Sequence, residues 1–246
     1  MGFPRERIRV LLLQARHPDD PAKAEEVRSF AARCGLEPEQ IVSHDLLTGP
    51  PPLRRLRQHD AMMVGGSGEF NVSKGDLPRH RETLDLLAEV AATGHPTFAS
   101  CFGFQCMVEA LGGEIVSDAD NMEVGTWELK LTEAGREDPL FGQLPESFLA
   151  QLGHKERAAD HVDGFPTLAF SHRVAVEALR IPGQPVWATQ FHPELDRHAN
   201  LGRYERYLDR YGGMMSPEER RRAVESFRDS PATMDLLERF LRLVFG

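Results

Sequence analysis

The feature that most narrows the fold of this chain is an alternation of short apolar runs with helical patterns, sustained through Gly113. Ile8-Arg-Val-Leu-Leu-Leu ends at Gln14, and the polar, proline-bearing His17-Pro-Asp-Asp-Pro leads into a helical pattern from about Ala22 to Cys34. Further apolar runs follow at Ile41-Val-Ser-His, at Ala61-Met-Met-Val64 before Gly65-Gly66, and at Thr97-Phe-Ala-Ser. The Pro50-Pro51-Pro52 break leaves room for only a short helix between the second and third runs. Residues 77–93 carry apolar side chains at 84, 86, 87, 90 and 91, which is helical spacing. Cys101 then leads into another helix, closed at Gly112-Gly113. Strands this short, separated by helices, fit a parallel sheet covered on both faces.

Beyond Gly113 the rhythm changes to shorter extended segments, expected near residues 114–116, 127–131, 147–151, 167–170, 174–179 and 186–189. These read as an antiparallel or mixed portion. From Leu201 the chain is charged and helical, with Tyr204, Tyr207, Leu208 and Tyr211 on one face, followed by helical stretches at 217–227 and 231–245. The expectation is an α/β domain over residues 1–200 and a helical extension over 201–246 packed on it as peripheral helices. The charge run Glu218-Glu219-Arg220-Arg221-Arg222 fits a solvated helix face.

With 246 residues, 41% of them hydrophobic, the chain is long enough for a full α/β core. A formal charge of −9 disfavours polyanionic partners, so nucleic acid is not expected. No run approaches the length of a membrane span, and the N-terminus lacks a signal-peptide pattern, so a cytoplasmic protein is expected. Cys34, Cys101 and Cys106 form no even disulfide framework, which fits a reducing compartment, and Cys34 and Cys106 suit small buried hydrophobes. No cofactor motif is apparent. The histidines show no paired metal-ligand spacing, so no metal site is expected.

Three segments carry chemistry. In Pro96-Thr-Phe-Ala-Ser-Cys101-Phe-Gly103-Phe-Gln105 an apolar strand runs into a cysteine and directly into a helix, the layout of a nucleophile elbow. The helix N-terminus favours a thiolate there, and the Phe102 amide is placed to donate to an oxyanion. In Pro185-Val-Trp-Ala-Thr-Gln-Phe-His192-Pro-Glu194 a strand ends in a histidine and a carboxylate two residues apart. Extended backbone points both to one side, so Glu194 can orient His192 while the free ring nitrogen takes a proton from Cys101. In Met62-Met-Val-Gly65-Gly66-Ser-Gly68 a strand opens into a glycine-rich turn whose amides suit an anion or carbonyl, without the lysine ending of a phosphate loop. Taken singly, these segments also suit a buried cysteine, a surface turn and a flexible loop. Jointly they supply nucleophile, base and orienter at the ends of strands.

These residues resemble the class I, triad-type glutamine amidotransferase family, whose elbow commonly reads Gly-x-Cys-x-Gly-x-Gln and whose second signature is His-Pro-Glu. Here the two read Ala99-Ser-Cys101-Phe-Gly103-Phe-Gln105 and His192-Pro193-Glu194. The resemblance spans roughly residues 8–196 and implies a flavodoxin-like, mainly parallel sheet with a small antiparallel addition. It implies Cys101 as nucleophile, His192 as general base and acid, Glu194 as orienter, and the Gly66 and Phe102 amides as oxyanion donors. It also implies that the Gln105 side chain and the backbone around Gly68, Gly153 and His154 hold the amino-acid end of glutamine. Two departures stand out: Ala99 replaces the usual glycine, and Gly153-His154-Lys155-Glu156 stands where relatives often carry Ser-His-Gly-Asp. His154 also suits a structural role.

The implied chemistry is release of ammonia from glutamine or another γ-glutamyl compound through a γ-glutamyl thioester. The helices after the triad are too short for a synthase domain, so either a separate ammonia-accepting synthase is the partner, as for the amidotransferase half of GMP synthase, or the protein works alone. The alternatives are a stand-alone γ-glutamyl peptidase or hydrolase and a catalytically silent binding homologue. An oligomer is compatible with the sequence.

Overall fold

A computed structural model describes residues 5–208 and 215–246 of the chain. Its centre is a nine-stranded sheet in the order β2-β1-β3-β4-β11-β10-β9-β6-β7. The first half comprises β1 (Val10–Gln14), β2 (Ile41–Asp45), β3 (Ala61–Val64), β4 (Thr97–Ser100) and β11 (Val186–Thr189). These five pair in parallel, and their order is the flavodoxin-like one. The second half, β10 (Ala178–Arg180), β9 (Thr167–Phe170), β6 (Glu123–Leu131) and β7 (Ser147–His154), continues the sheet with antiparallel pairings. A separate antiparallel pair joins β5 (Ile115–Ser117) to β8 (Glu156–Ala158). The expected mainly parallel sheet with a small antiparallel addition is what the chain forms.

Every residue of β1, β3, β4 and β11 is buried. The side-chain alternation of a strand divides them between two cores. Val10, Leu12 and Met63 face one core with Phe30 of helix α1 (Ala22–Cys34), whereas Leu11, Leu13 and Met62 face the other. Leu87 of α3 (His80–Thr93) and Phe104 of α4 (Phe102–Ala110) close that second core. A short helix α2 (Leu53–Leu56) fills the gap after the proline break, and α5 (Glu133–Glu137) follows β6. Gly35 and Gly94 end α1 and α3 with positive φ of 62° and 72°, where an L side chain is strained.

Several elements differ from expectation, each for a local reason. Strands β6 and β7 run further toward one another than their apolar cores suggest, because Glu123 pairs with His154 and Val124 with Gly153. Strand β10 starts later, because Ser171 builds a turn: its hydroxyl accepts from the N–H of Arg173 and Val174 at 3.0 and 2.8 Å. Strand β8 carries Glu-Arg-Ala, a composition with no apolar signal.

The C-terminal helices are α6 (Arg197–Arg206), which spans the composition change near residue 200, α7 (Pro217–Ser226) and α8 (Leu236–Phe245). The Glu218–Arg222 run is an exposed face of α7 held by ion pairs such as Arg221–Glu218 at 2.8 Å. Tyr204 and Tyr207 are buried, while Tyr211 lies outside the described residues. Helix α8 sits on the outside of the sheet yet belongs to the core, with Leu236, Leu237, Phe240 and Leu241 fully buried. The Phe240 ring meets Phe98 of β4 and Trp187 of β11 edge-on at 5.6 and 5.8 Å. Among the described residues no helix is long and apolar enough to cross a membrane. We expect Phe240→Ala to cost about 3–5 kcal/mol of unfolding free energy, read from urea midpoints, because the cavity opens beneath the central strands. A cost below about 1 kcal/mol would show that α8 is dispensable to the core.

Candidate active site

The parallel pairing of β4 with β11 runs in register from Thr97 opposite Val186 to Ser100 opposite Thr189. Cys101 and the Gln190–Glu194 segment therefore leave adjacent strands at the same sheet edge, the carboxyl end where open α/β sheets hold ligands. The Cys101 N–H donates to the Thr189 carbonyl at 2.8 Å, tying the two exits together. Cys101 itself has φ 52° and ψ −104°, a conformation sparsely populated by residues with a side chain. Helix α4 begins at the next residue, so the Phe102 N–H belongs to the first turn, where no intrahelical acceptor exists. Gly103 lets this turn sit on β3: its N–H donates to the Gly65 carbonyl at 3.2 Å, and a Cβ would lie 2.7 Å from that of Val64. The strand–cysteine–helix segment thus has the geometry of a nucleophile elbow.

His192 follows on the neighbouring exit, within electrostatic reach of Cys101. Its Nδ1 lies 2.7 Å from Glu194 Oε1. A carboxylate only accepts, so Nδ1 carries hydrogen and Nε2 is left for the sulfur. Burial is the largest influence on His192 and lowers its pKa, but the charges of Cys101 and Glu194 and their hydrogen bonds outweigh it and lift the imidazole to about 10. Burial raises the Glu194 pKa, yet His192 and then Arg203 outweigh it and hold the carboxyl at about 2. At neutral pH Glu194 is thus an anion and His192 carries both ring protons.

Gly68, Cys101, Phe102, Gln105, Gly153 and His154 line one cleft. Gly66 stands beside the imidazole, since a Cβ on it would lie 2.9 Å from His192 Cε1. The structure therefore gathers the residues expected from sequence around one thiol. Gln105 donates through Nε2 to the Glu156 carbonyl at 2.9 Å and to Gln190 Oε1 at 3.2 Å, which fixes its amide in the cleft wall. Glu156 accepts from the Val72 N–H at 2.8 Å and from the Ser73 hydroxyl, pinning that turn against the cleft. Lys155 lies at the cleft, half-buried. Cys34 and Cys106 are fully buried, and burial pushes both thiols up, which leaves them as core side chains.

Behind His154 lies a group that sequence reasoning missed. His154 Nδ1 donates to the Glu156 carbonyl at 3.0 Å, while Nε2 lies 3.2 Å from Glu123 and 3.9 Å from Glu177. Both carboxyls are fully buried. Burial, reinforced by Glu123, pushes the Glu177 carboxyl well up. Burial also acts to raise Glu123, but hydrogen bonds from His154 and Glu177 outweigh it and lower its pKa. The two carboxyls are thus pushed in opposite directions, Glu177 toward holding its proton and Glu123 toward the anion. Among the described residues this trio is also the group whose donor atoms, all within 4.8 Å of one another, come close enough to hold a metal ion. The available signal was the charge itself, placed in strand-like stretches with otherwise apolar neighbours.

Comparison with known proteins bears on the family and the fold. The family model for class I glutamine amidotransferases matches residues 54–204, more than half of the chain. Over 127 residues the chain is 32% identical to one subunit of the glutamine-hydrolysing GMP synthase of Methanocaldococcus jannaschii, covering 52% of this chain and 63% of that one. It is 31% identical over 119 residues to the GMP synthase of Lactobacillus delbrueckii subsp. bulgaricus, covering 48% of this chain but only 22% of that enzyme. The fold superposes on a glutamine amidotransferase from Thermotoga maritima with a TM-score of 0.74 at 17% identity, covering 97% of this chain and 98% of that one. On the strength of the family match, this chain belongs to the class I glutamine amidotransferases.

Proposed function

We propose that the protein hydrolyses the side-chain amide of glutamine through a Cys101–His192–Glu194 triad and a γ-glutamyl thioester, and that the ammonia serves a separate acceptor enzyme. The observation that carries this reading is the convergence of Cys101, at a strained elbow beside two candidate oxyanion amides, with His192, whose Nδ1 lies 2.7 Å from Glu194 and on which Cys101 and Glu194 both act. The Cys101 sulfur attacks the amide carbon, forming a C–S bond and an oxyanion that the Gly66 and Phe102 N–H groups receive. His192 gives its proton to the amide nitrogen, the C–N bond breaks, and ammonia leaves the thioester. Water then loses a proton to His192 and attacks the thioester carbon. Glutamate departs and the sulfur is restored. Glu194 remains ionised and holds the ring in one tautomer throughout.

A separate acceptor is favoured by the relatives that are named as one subunit of a GMP synthase. A second reading, a stand-alone hydrolase of larger γ-glutamyl compounds, is favoured by Lys155 at the cleft, where the family resemblance implies a glycine. Gln105, Gly68, Gly153 and His154 are the proposed holders of the amino-acid end in either case.

Mass spectrometry after rapid quench, with glutamine and a γ-glutamyl dipeptide in parallel, separates these readings. We expect a γ-glutamyl adduct on wild type and none on Cys101→Ala; an adduct persisting in the alanine variant would falsify the nucleophile assignment. Accumulation from the dipeptide but not from glutamine would replace the first reading by the second. The pH profile gives an independent check. Loss of the His192 proton from the free enzyme should depress kcat/KM as pH rises through about 10. Glu194→Gln removes the anion that raises this pKa, so the alkaline limb should move to lower pH, and an unmoved limb contradicts the orienter role.

A further inference from the structure

The triad acid is continuous with a buried ladder of alternating charge that reaches outside the family-matched residues. Arg203 of α6 places Nη1 3.4 Å from Glu194 Oε1 and Nη2 3.6 Å from Glu26 Oε1. Glu26, on α1 and fully buried, receives a two-pronged contact from Arg16, with Nη2 to Oε1 at 2.8 Å and Nε to Oε2 at 3.1 Å. Arg16 Nη1 donates to the Tyr207 hydroxyl at 3.0 Å, and that hydroxyl donates to Asp20 at 2.5 Å. Arg16, Asp20 and Glu26 precede the matched segment 54–204, and Tyr207 follows it.

The ladder also lies against the glycine-rich turn. A Cβ on Gly65 would sit 2.7 Å from the Glu26 carboxylate, and one on Gly68 would sit 2.5 Å from the Tyr207 ring. Between them, Gly66 abuts His192. One connected set of charged groups therefore touches the orienter at one end and backs the candidate oxyanion turn along its length. Charges buried this deeply persist only when paired, so each member fixes its neighbours in a single arrangement.

We propose that Arg203, anchored by Glu26 and Arg16, is a positioning residue that holds Glu194 and the Gly65–Gly68 turn in the geometry the thiol requires. This rests on the triad reading above, and it makes α6 part of the machinery. A misplacement of about 1 Å at a reacting centre is enough to cost on the order of 100-fold in rate.

The test compares wild type, Arg203→Met and Arg203→Lys by the rate of Cys101 alkylation with iodoacetamide and by kcat and KM for glutamine. We expect Arg203→Met to lower both the alkylation rate and kcat by roughly 10- to 100-fold with KM within about twofold, and Arg203→Lys to recover most of the loss. Wild-type rates in a folded Arg203→Met protein overturn the proposal, as does a lysine variant no better than methionine. Should Arg203→Met fail to fold, Glu26→Gln takes its place, removing charge at the centre of the ladder while keeping its shape. About a tenfold loss of alkylation rate is expected there, and a wild-type rate overturns the proposal. Alkylation needs no γ-glutamyl substrate. A wild type alkylated at Cys101 that turns over no glutamine therefore counts against the proposed function alone.

Discussion

The site depends on one pairing, that of β4 with β11, closed by the Cys101 N–H bonded to the Thr189 carbonyl. Parallel neighbours whose last paired residues are Ser100 and Thr189 must release their following residues at the same edge. The chain uses this to bring together a cysteine and a histidine 91 positions apart in sequence. A slip of one residue would turn each strand's side chains to the opposite face and separate the pair. The rigidity of the pairing is supplied from below, where Phe98 and Trp187 on these two strands share the Phe240 ring of α8. Stability and chemistry are thus joined at the same two strands.

The second constraint is the burial of charge. His192 and Glu194 are both withdrawn from water; burial is opposed by Cys101 and Glu194 at His192, and by His192 and Arg203 at Glu194. The same logic recurs at Arg16 and Glu26, and at Glu123, which lies 3.2 Å from His154 beside the buried Glu177. Three buried polar systems surround one small cleft. Fixed partners of this kind keep dipoles in place during reaction instead of relying on water to reorganise. The glycines of the 65–68 turn are what let these groups approach the backbone so closely.

Much of this was legible in the sequence because it is written in local patterns. Apolar runs and helical spacing gave α1, β3, β4, β9 and β11 essentially at their observed positions, and the elbow and His-Pro-Glu segments marked the residues that the fold brings to one sheet edge. Strand β8 left no such trace, since Glu156, Arg157 and Ala158 become a strand only through pairing with β5. Glu26 was visible in principle: it shares the Ala22, Phe30 and Cys34 face of α1, and a carboxylate amid that apolar stripe demands a partner. Arg203 was not. It lies on a helix rich in charge, nine residues after Glu194, and only the tertiary fold distinguishes it from its exposed neighbour Glu205.

The most direct measurement of the central claim is a structure of the protein after reaction with a glutamine-analogue electrophile. A single covalent bond to Cys101 Sγ is expected, with the analogue's carbonyl oxygen about 2.7–3.1 Å from the N–H nitrogens of Gly66 and Phe102. Its amino-acid end should lie in the cleft beside Gln105 and Gly153. An adduct on Cys34 or Cys106 in place of Cys101, or an oxygen turned away from both amides, would contradict it.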